Sequence, residues 1–317
     1  MSGSAVPPGQ DAGHRASAAN GPAMTREEFD ALFGRLRRDR PPGPAAAAQR
    51  VAAAGLVRSG EVVALGRPWD TAPGPDNRRP ALHLMTELAD TTAPEPTAYK
   101  DFIASDYHGK AQTHLDALCH IAYRGLLFAG VRAQQVLSSQ GAAYGAVTDL
   151  LPGVVGRGVL LDVARLRGLA WLEPGEAVGG PELIACADRQ GSPLDPGDIL
   201  LVRTGHLARR RELGAWDPDE LSAGLHPTAM HVPYESRASA LGGDGDSDVR
   251  PSPVDGVHSP VHVLAVTAMG LPLIDNMDLE DLAEACVRHS RWEFLFVAAP
   301  LHIPGGTGSP VNPLAVF

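Results

Sequence analysis

Two runs of apolar residues constrain this chain more than anything else in it. Gly158–Val163 reads Gly-Val-Leu-Leu-Asp-Val, and Asp198–Arg203 reads Asp-Ile-Leu-Leu-Val-Arg. Both are nearly continuous rather than alternating, the pattern of strands covered on both faces. Between them, Gly180–Gln190 carries its apolar residues at helical spacing. This strand–helix–strand order predicts an α/β core rather than a helical bundle.

The flanking sequence extends the same reading. Thr25 with Glu28 forms a capping box ahead of Phe29, Leu32, Phe33 and Leu36, and Pro41-Pro42-Gly43 ends that helix. A second, alanine-rich helix is predicted over Pro44–Leu56, then strands over Glu61–Gly66 and Ala81–Leu88. Later come a helix at His262–Gly270, a strand at Leu271–Asn276, a helix at Asp278–His289 and a strand at Trp292–Ala298. The 35 glycines and 28 prolines imply many turns, while 44% hydrophobic content suffices for a large core. No repeat or linker divides the sequence after residue 24. The expected organisation is a flexible tail at 1–23 and a single domain at 24–317.

Charge and composition exclude several functions. A net charge of -10 argues against a general binder of phosphate backbones. The run Arg209-Arg210-Arg211 is read as a solvated helix face. No stretch reaches the ~18–20 apolar residues of a membrane span, and Met1–Ala23 lacks the features of a signal peptide. Cys119, Cys186 and Cys286 are odd in number and far apart, which implies no disulfide framework and fits a cytoplasmic setting. Gly-x-Ser-x-Gly, phosphate-loop and dinucleotide motifs are all missing. Among 27 basic residues only Lys100 and Lys110 are lysine.

Chemistry concentrates between Tyr107 and His120, in Tyr-His-Gly-Lys-Ala-Gln-Thr-His-Leu-Asp-Ala-Leu-Cys-His. His114 and Asp116 are two apart and share a side if the segment is extended. His120 returns to that side if the chain then turns. Imidazole with carboxylate suits Zn²⁺ or Mn²⁺. The competing reading is three polar residues satisfying a buried turn.

Thr113-His114-Leu115-Asp116-Ala117-Leu118-Cys119-His120 resembles the core of the H-x-G-T-H-x-D-x-P-x-H motif of cyclase-like metal-dependent hydrolases. That family includes bacterial kynurenine formamidase and isatin hydrolase. Gly197–Gly205 is similar to its central strand, Leu273-Ile274-Asp275-Asn276 to its Leu-x-Glu-Asn segment, and Pro300-Leu301 with Ser309-Pro310-Val311 to its C-terminal block. The resemblance runs from about residue 60 onward. It implies a compact swivelling β/β/α domain with a barrel-like mixed sheet and flanking helices, assembled as a homodimer or homotetramer.

By the same resemblance His114 and Asp116 match metal ligands and His120 the proton-transfer histidine. His262 and Asp275 lie near the second-metal histidine and glutamate, with Asp275 one methylene shorter. The family's first histidine falls at Lys110. Either a two-residue insertion lets His108 serve as ligand, or Lys110 occupies the ligand's place. A protonated lysine has no lone pair to donate, so His108 is preferred and Lys110 is assigned to substrate contact. Trp69 and His258 are further candidates for lining the site. His83, His206, His226, His231, His289 and His302 are read as packing or surface residues. Asp244–Asp248 resembles half of a calcium loop but lacks its glycine and closing glutamate, leaving an Asp-rich loop near the site.

The expected function is metal-dependent hydrolysis of an amide, lactam or lactone of a small molecule. A metal-bound hydroxide would attack the carbonyl, with His120 moving the proton. The alternatives are a catalytically silent scaffold, a ring-forming cyclase of a biosynthetic pathway, and an iron oxygenase.

Overall fold

The computed structural model describes residues 21–88, 92 and 95–317. All but the last three residues of the expected 1–23 tail fall outside them. Nine strands make one curled, half-barrel mixed sheet: β1 (Val62–Ala64), β2 (His114–Asp116), β3 (Val154–Asp162), β4 (Ile199–Arg203), β5 (Ala240–Gly243), β6 (Leu273–Asp275), β7 (Glu293–Ala298), β8 (Gly308–Pro310) and β9 (Leu314–Val316). Their order is β1-β9-β7-β3-β4-β5-β6-β2-β8. β3 through β6 run parallel, with Gly158 opposite Ile199, Ala240 opposite Ile199 and Leu241 opposite Leu273. β2 and β8 close that end antiparallel, pairing Asp275 with His114 and Asp116 with Gly308.

The apolar runs of the sequence are the parallel centre of this sheet. Successive side chains point to opposite faces, and each face has its own core. Val159, Leu161, Leu200, Val202, Leu241 and Leu273 pack on one side against α1 (Arg26–Leu36) and the helical segment Val263–Met269. Leu160, Ile199, Leu201, Ala240 and Ile274 pack on the other, with Phe294, Phe296 and the helix Glu280–His289. Every residue of β4 is buried.

The structure differs from the sequence reading at instructive points. β3 begins at Val154 rather than Gly158, because Gly156 and Gly158 interrupt the apolar pattern. A Cβ on Gly158 would lie 2.3 Å from the Phe294 ring on β7, so the glycine admits a neighbour across the sheet. The alanine-rich helix is shorter than expected, Ala47–Ala54. His262–Gly270 is a short helical turn, Pro260–His262, continued by a fully buried π-helical stretch, Val263–Met269. Arg209–Arg211 is not a free solvated face. Arg209 pairs with Glu173, Arg210 with Asp76 and Arg211 with Asp278.

One element stands apart. Leu82–Glu87 and Lys100–Ala104 form an antiparallel hairpin pairing with no strand of the large sheet, and its side chains are almost all exposed. Among the described residues no helix is long and apolar enough to cross a membrane.

Candidate metal centre

Six segments bring ligand-type side chains to one point at the short-stranded end of the sheet. β2 is extended, so His114 and Asp116 share a face while Leu115 between them enters the core behind. His120 returns through a turn in which its amide donates to the Ala117 carbonyl at 2.9 Å. His108 precedes β2, His262 closes the short helical turn, and Asp275 ends β6. Asp246 arrives from the loop after β5.

Asp116 is the common point. Its Oδ1 lies 3.0 Å from His108 Nδ1, 3.5 Å from His114 Nε2 and 3.9 Å from His120 Nε2. Its Oδ2 lies 3.6 Å from His262 Nε2. Asp116 is 1% exposed, yet among the described residues neither oxygen takes part in a hydrogen bond. Burying a bare carboxylate is costly unless a cation satisfies it. Burial opposes ionisation of Asp116, but the imidazoles of His120, His108, His114 and His262 outweigh it and hold the carboxyl below its ordinary range.

Outer contacts aim the imidazoles. His114 Nδ1 is 3.0 Å from the Gln112 carbonyl, leaving Nε2 toward Asp116. His108 Nε2 is 2.9 Å from Thr307 Oγ1, leaving Nδ1 inward. His262 Nδ1 is 2.6 Å from Asp248 Oδ2, and its Nε2 faces Asp275 at 3.1 Å and Asp246 at 3.6 Å. Such partners fix which nitrogen faces an ion. Three sets offer ligand atoms within 4.8 Å of one another: His108–Asp116–His120, His114–Asp116–Asp275 and Asp246–His262–Asp275. An unsatisfied buried carboxylate ringed by imidazoles and further carboxylates fits a divalent ion.

His120 stacks on His108, centroids 3.8 Å apart and planes 3° from parallel. Burial pushes its imidazole down to about 4, against the pull of Asp116. His262 moves the other way: despite burial, Asp248 and Asp275 raise it well above the ordinary range.

The lysine in the motif does not sit among the nitrogen ligands. Lys110 Nζ is 2.5 Å from Asp246 Oδ2 and 3.2 Å from Asp219. Burial works against its charge, but Asp246 prevails and raises its pKa. His258 lies beside Arg250, with Nδ1 3.0 Å from its Nη1. Neither His258 nor Trp69, which is 39% exposed, lines the cavity at the centre. That cavity, about 100 Å³, is bordered by His108, Lys110, His120, Asp246 and His262. It shares His108, Gly109 and Lys110 with a polar cavity of about 420 Å³ lined also by Arg78, Arg79 and Asp219. A larger apolar cavity of about 670 Å³ lies elsewhere, between Pro41–Ala45 and Tyr144–Val155.

A family model described as "Putative cyclase" matches residues 83–247, just over half of the chain. The chain belongs to that family. Among solved structures, this cyclase-family chain is similar to one titled a novel cyclase, at 29% identity and TM-score 0.79, covering 88% of this chain and 97% of that one. It shares its fold with isatin hydrolase A from Ralstonia solanacearum, at 21% identity and TM-score 0.59, covering 86% and 98%. The same holds for a potential metal-dependent hydrolase with cyclase activity, at 16% and 0.51, covering 81% and 98%. No curated protein matches it.

Sequence reasoning did not single out several residues of this cyclase-family centre. The run at 244–248 was legible as an Asp-rich loop near the site, but its aspartates have three different partners. Asp244 accepts from the amides of Thr204, Gly205 and His206. Asp246 enters the centre, and Asp248 orients His262. Alternation at i, i+2 and i+4 was the one available signal. Asn276 has a left-handed φ of 58° and donates to the carbonyls of Gly109 and Gln112, clamping the loop that carries His108. Its place in the Leu-Ile-Asp-Asn segment pointed to it without revealing that task.

Proposed function

We propose that this chain is a metal-dependent hydrolase opening an amide, lactam or lactone. His108, His114 and Asp116 would hold one divalent ion, zinc or manganese, with His262 and Asp275 at a second position. The observation carrying this reading is Asp116, fully buried, with neither oxygen hydrogen-bonded among the described residues and imidazole nitrogens around both. The isatin hydrolases and the potential metal-dependent hydrolase among its structural relatives support the same class. A divalent ion held there would acidify a water and polarise a carbonyl.

The chain's own residues supply the rest. His120, pushed down to about 4 by burial, is a neutral base at pH 7. It takes the proton lost by the attacking water and returns it to the leaving nitrogen or oxygen. The Gln112 carbonyl and Thr307 hydroxyl keep His114 and His108 turned inward. Lys110, in the wall common to the two polar cavities, borders the substrate's path. Assembly as a homodimer or homotetramer belongs to this reading, supported by the exposed apolar hairpin with Leu84, Phe102 and Ile103.

Metal analysis of the purified protein, combined with assays on N-formyl arylamines, isatin and lactones, tests the proposal. At least one bound ion and turnover of one of these substrates are expected. A protein that takes up no metal after supplementation, or binds metal and turns over none of them, overturns it.

A further inference from the structure

The centre is chemically lopsided, and Lys110 sits on one side of it. Asp116 Oδ1 faces the imidazoles of His108, His114 and His120. Around Oδ2 stand one imidazole, His262, and the carboxylates of Asp246 and Asp275. The second half is therefore rich in oxygen ligands, the kind preferred by harder ions such as Mn²⁺ or Mg²⁺. Asp275 keeps Oδ2 toward the pocket because its Oδ1 accepts the Ser247 hydroxyl at 2.6 Å.

Asp246 differs from the other carboxylates. Its Oδ1 faces His262, while its Oδ2 is held by Lys110 at 2.5 Å and by Arg250 at 2.7 Å. An ion accepted by Oδ1 would meet the lysine ammonium across a single carboxylate. Buried like charges at that range repel with little screening. Arg250 is also tied to the His258 carbonyl and the Ser259 hydroxyl, which makes it part of the wall. Lys110 has a second acceptor, Asp219, at 3.2 Å near the mouth of the larger polar cavity. It can release Asp246 and remain paired.

We propose that Lys110, by holding Asp246 Oδ2, holds down the filling of the second cation position, where Asp246 stands beside His262, Asp275 and Asp116 Oδ2. The protein then keeps one ion tightly on the imidazole side and takes a second only at high concentration, as Lys110 swings to Asp219. This rests on the metal-centre reading above and adds to it the residue that sets how many ions are held.

The experiment is Mn²⁺ titration of the metal-stripped full chain. Electron paramagnetic resonance follows free and spin-coupled Mn²⁺, and elemental analysis counts bound ions. Wild type should bind one equivalent tightly and a second far more weakly. Lys110→Met should tighten the second by at least about tenfold and leave the first within about twofold. Lys110→Arg, which keeps the charge, should behave as wild type and controls for misfolding of the methionine variant. Asp246→Asn should lose the second ion alone. An unchanged second affinity in Lys110→Met, or two equal tight sites in wild type, overturns the proposal and leaves the hydrolase reading standing. Binding of no ion by any of the proteins overturns both.

Discussion

The two sides of Asp116 are built from different materials, although they share one carboxylate. The imidazole side comes mostly from one short stretch, His108 to His120, folded around a three-residue strand. The carboxylate side is gathered from Asp246, His262 and Asp275, on three separate segments. The first side is close in sequence, although Thr307 and Asn276 from distant segments hold its loop in place. The second exists only once β5, β6 and the π-helical stretch are packed together, so its ligand positions depend on the whole sheet.

The largest expected effect comes from removing what the sides share. Asp116→Ala should strip metal from both and reduce hydrolysis to background; retention of a full equivalent by elemental analysis would break the picture of one shared ligand. His120→Ala comes next. It should keep its ion and lose turnover by ~10²–10⁴-fold, the usual worth of a proton-transfer group. Loss of metal together with rate would make His120 a ligand instead.

A matched pair probes the division itself. Thr307→Val removes the partner of His108 and Ser247→Ala the partner of Asp275. Each should weaken metal binding by ~10–100-fold, but for different ions: the first-bound in Thr307→Val, the second in Ser247→Ala. Calorimetric titrations in which both variants weaken the same ion would show that the sides are not separable. The smallest effect should follow Trp69→Ala. An exposed substitution away from the cavity should leave KM within about twofold, and a larger rise would return Trp69 to the substrate's path.

The same contrast explains what was legible in the sequence. The parallel core could be read because strands buried on both faces leave unbroken apolar runs, as in Ile199–Arg203. His114, Asp116 and His120 could be read because the imidazoles facing Asp116 Oδ1 all fall between His108 and His120, so spacing alone implies proximity. The start of β3 is hidden because Gly158 admits the Phe294 ring across the sheet, a contact that leaves no mark along the chain. Asp246 is legible only as one of three alternating aspartates, because tertiary packing decides which of them reaches the centre. Lys110 has a partner hidden from the sequence for a related reason. Its position in the motif put it beside the imidazoles, while its length let it reach a carboxylate on another loop.

The placement of β2 has a further consequence. The long central strands β3 and β4 contribute no ligand; the chemistry hangs on three-residue strands at one end of the sheet and on the loops beside them. Load-carrying and reactive parts are thus physically distinct, like a keel and its rigging. Exchanging the segment 105–112 or the loop 244–248 would alter the surroundings of the candidate centre while the two cores on either side of the sheet keep their contacts. A scaffold divided in this way can change its reaction without first having to survive a change of its fold.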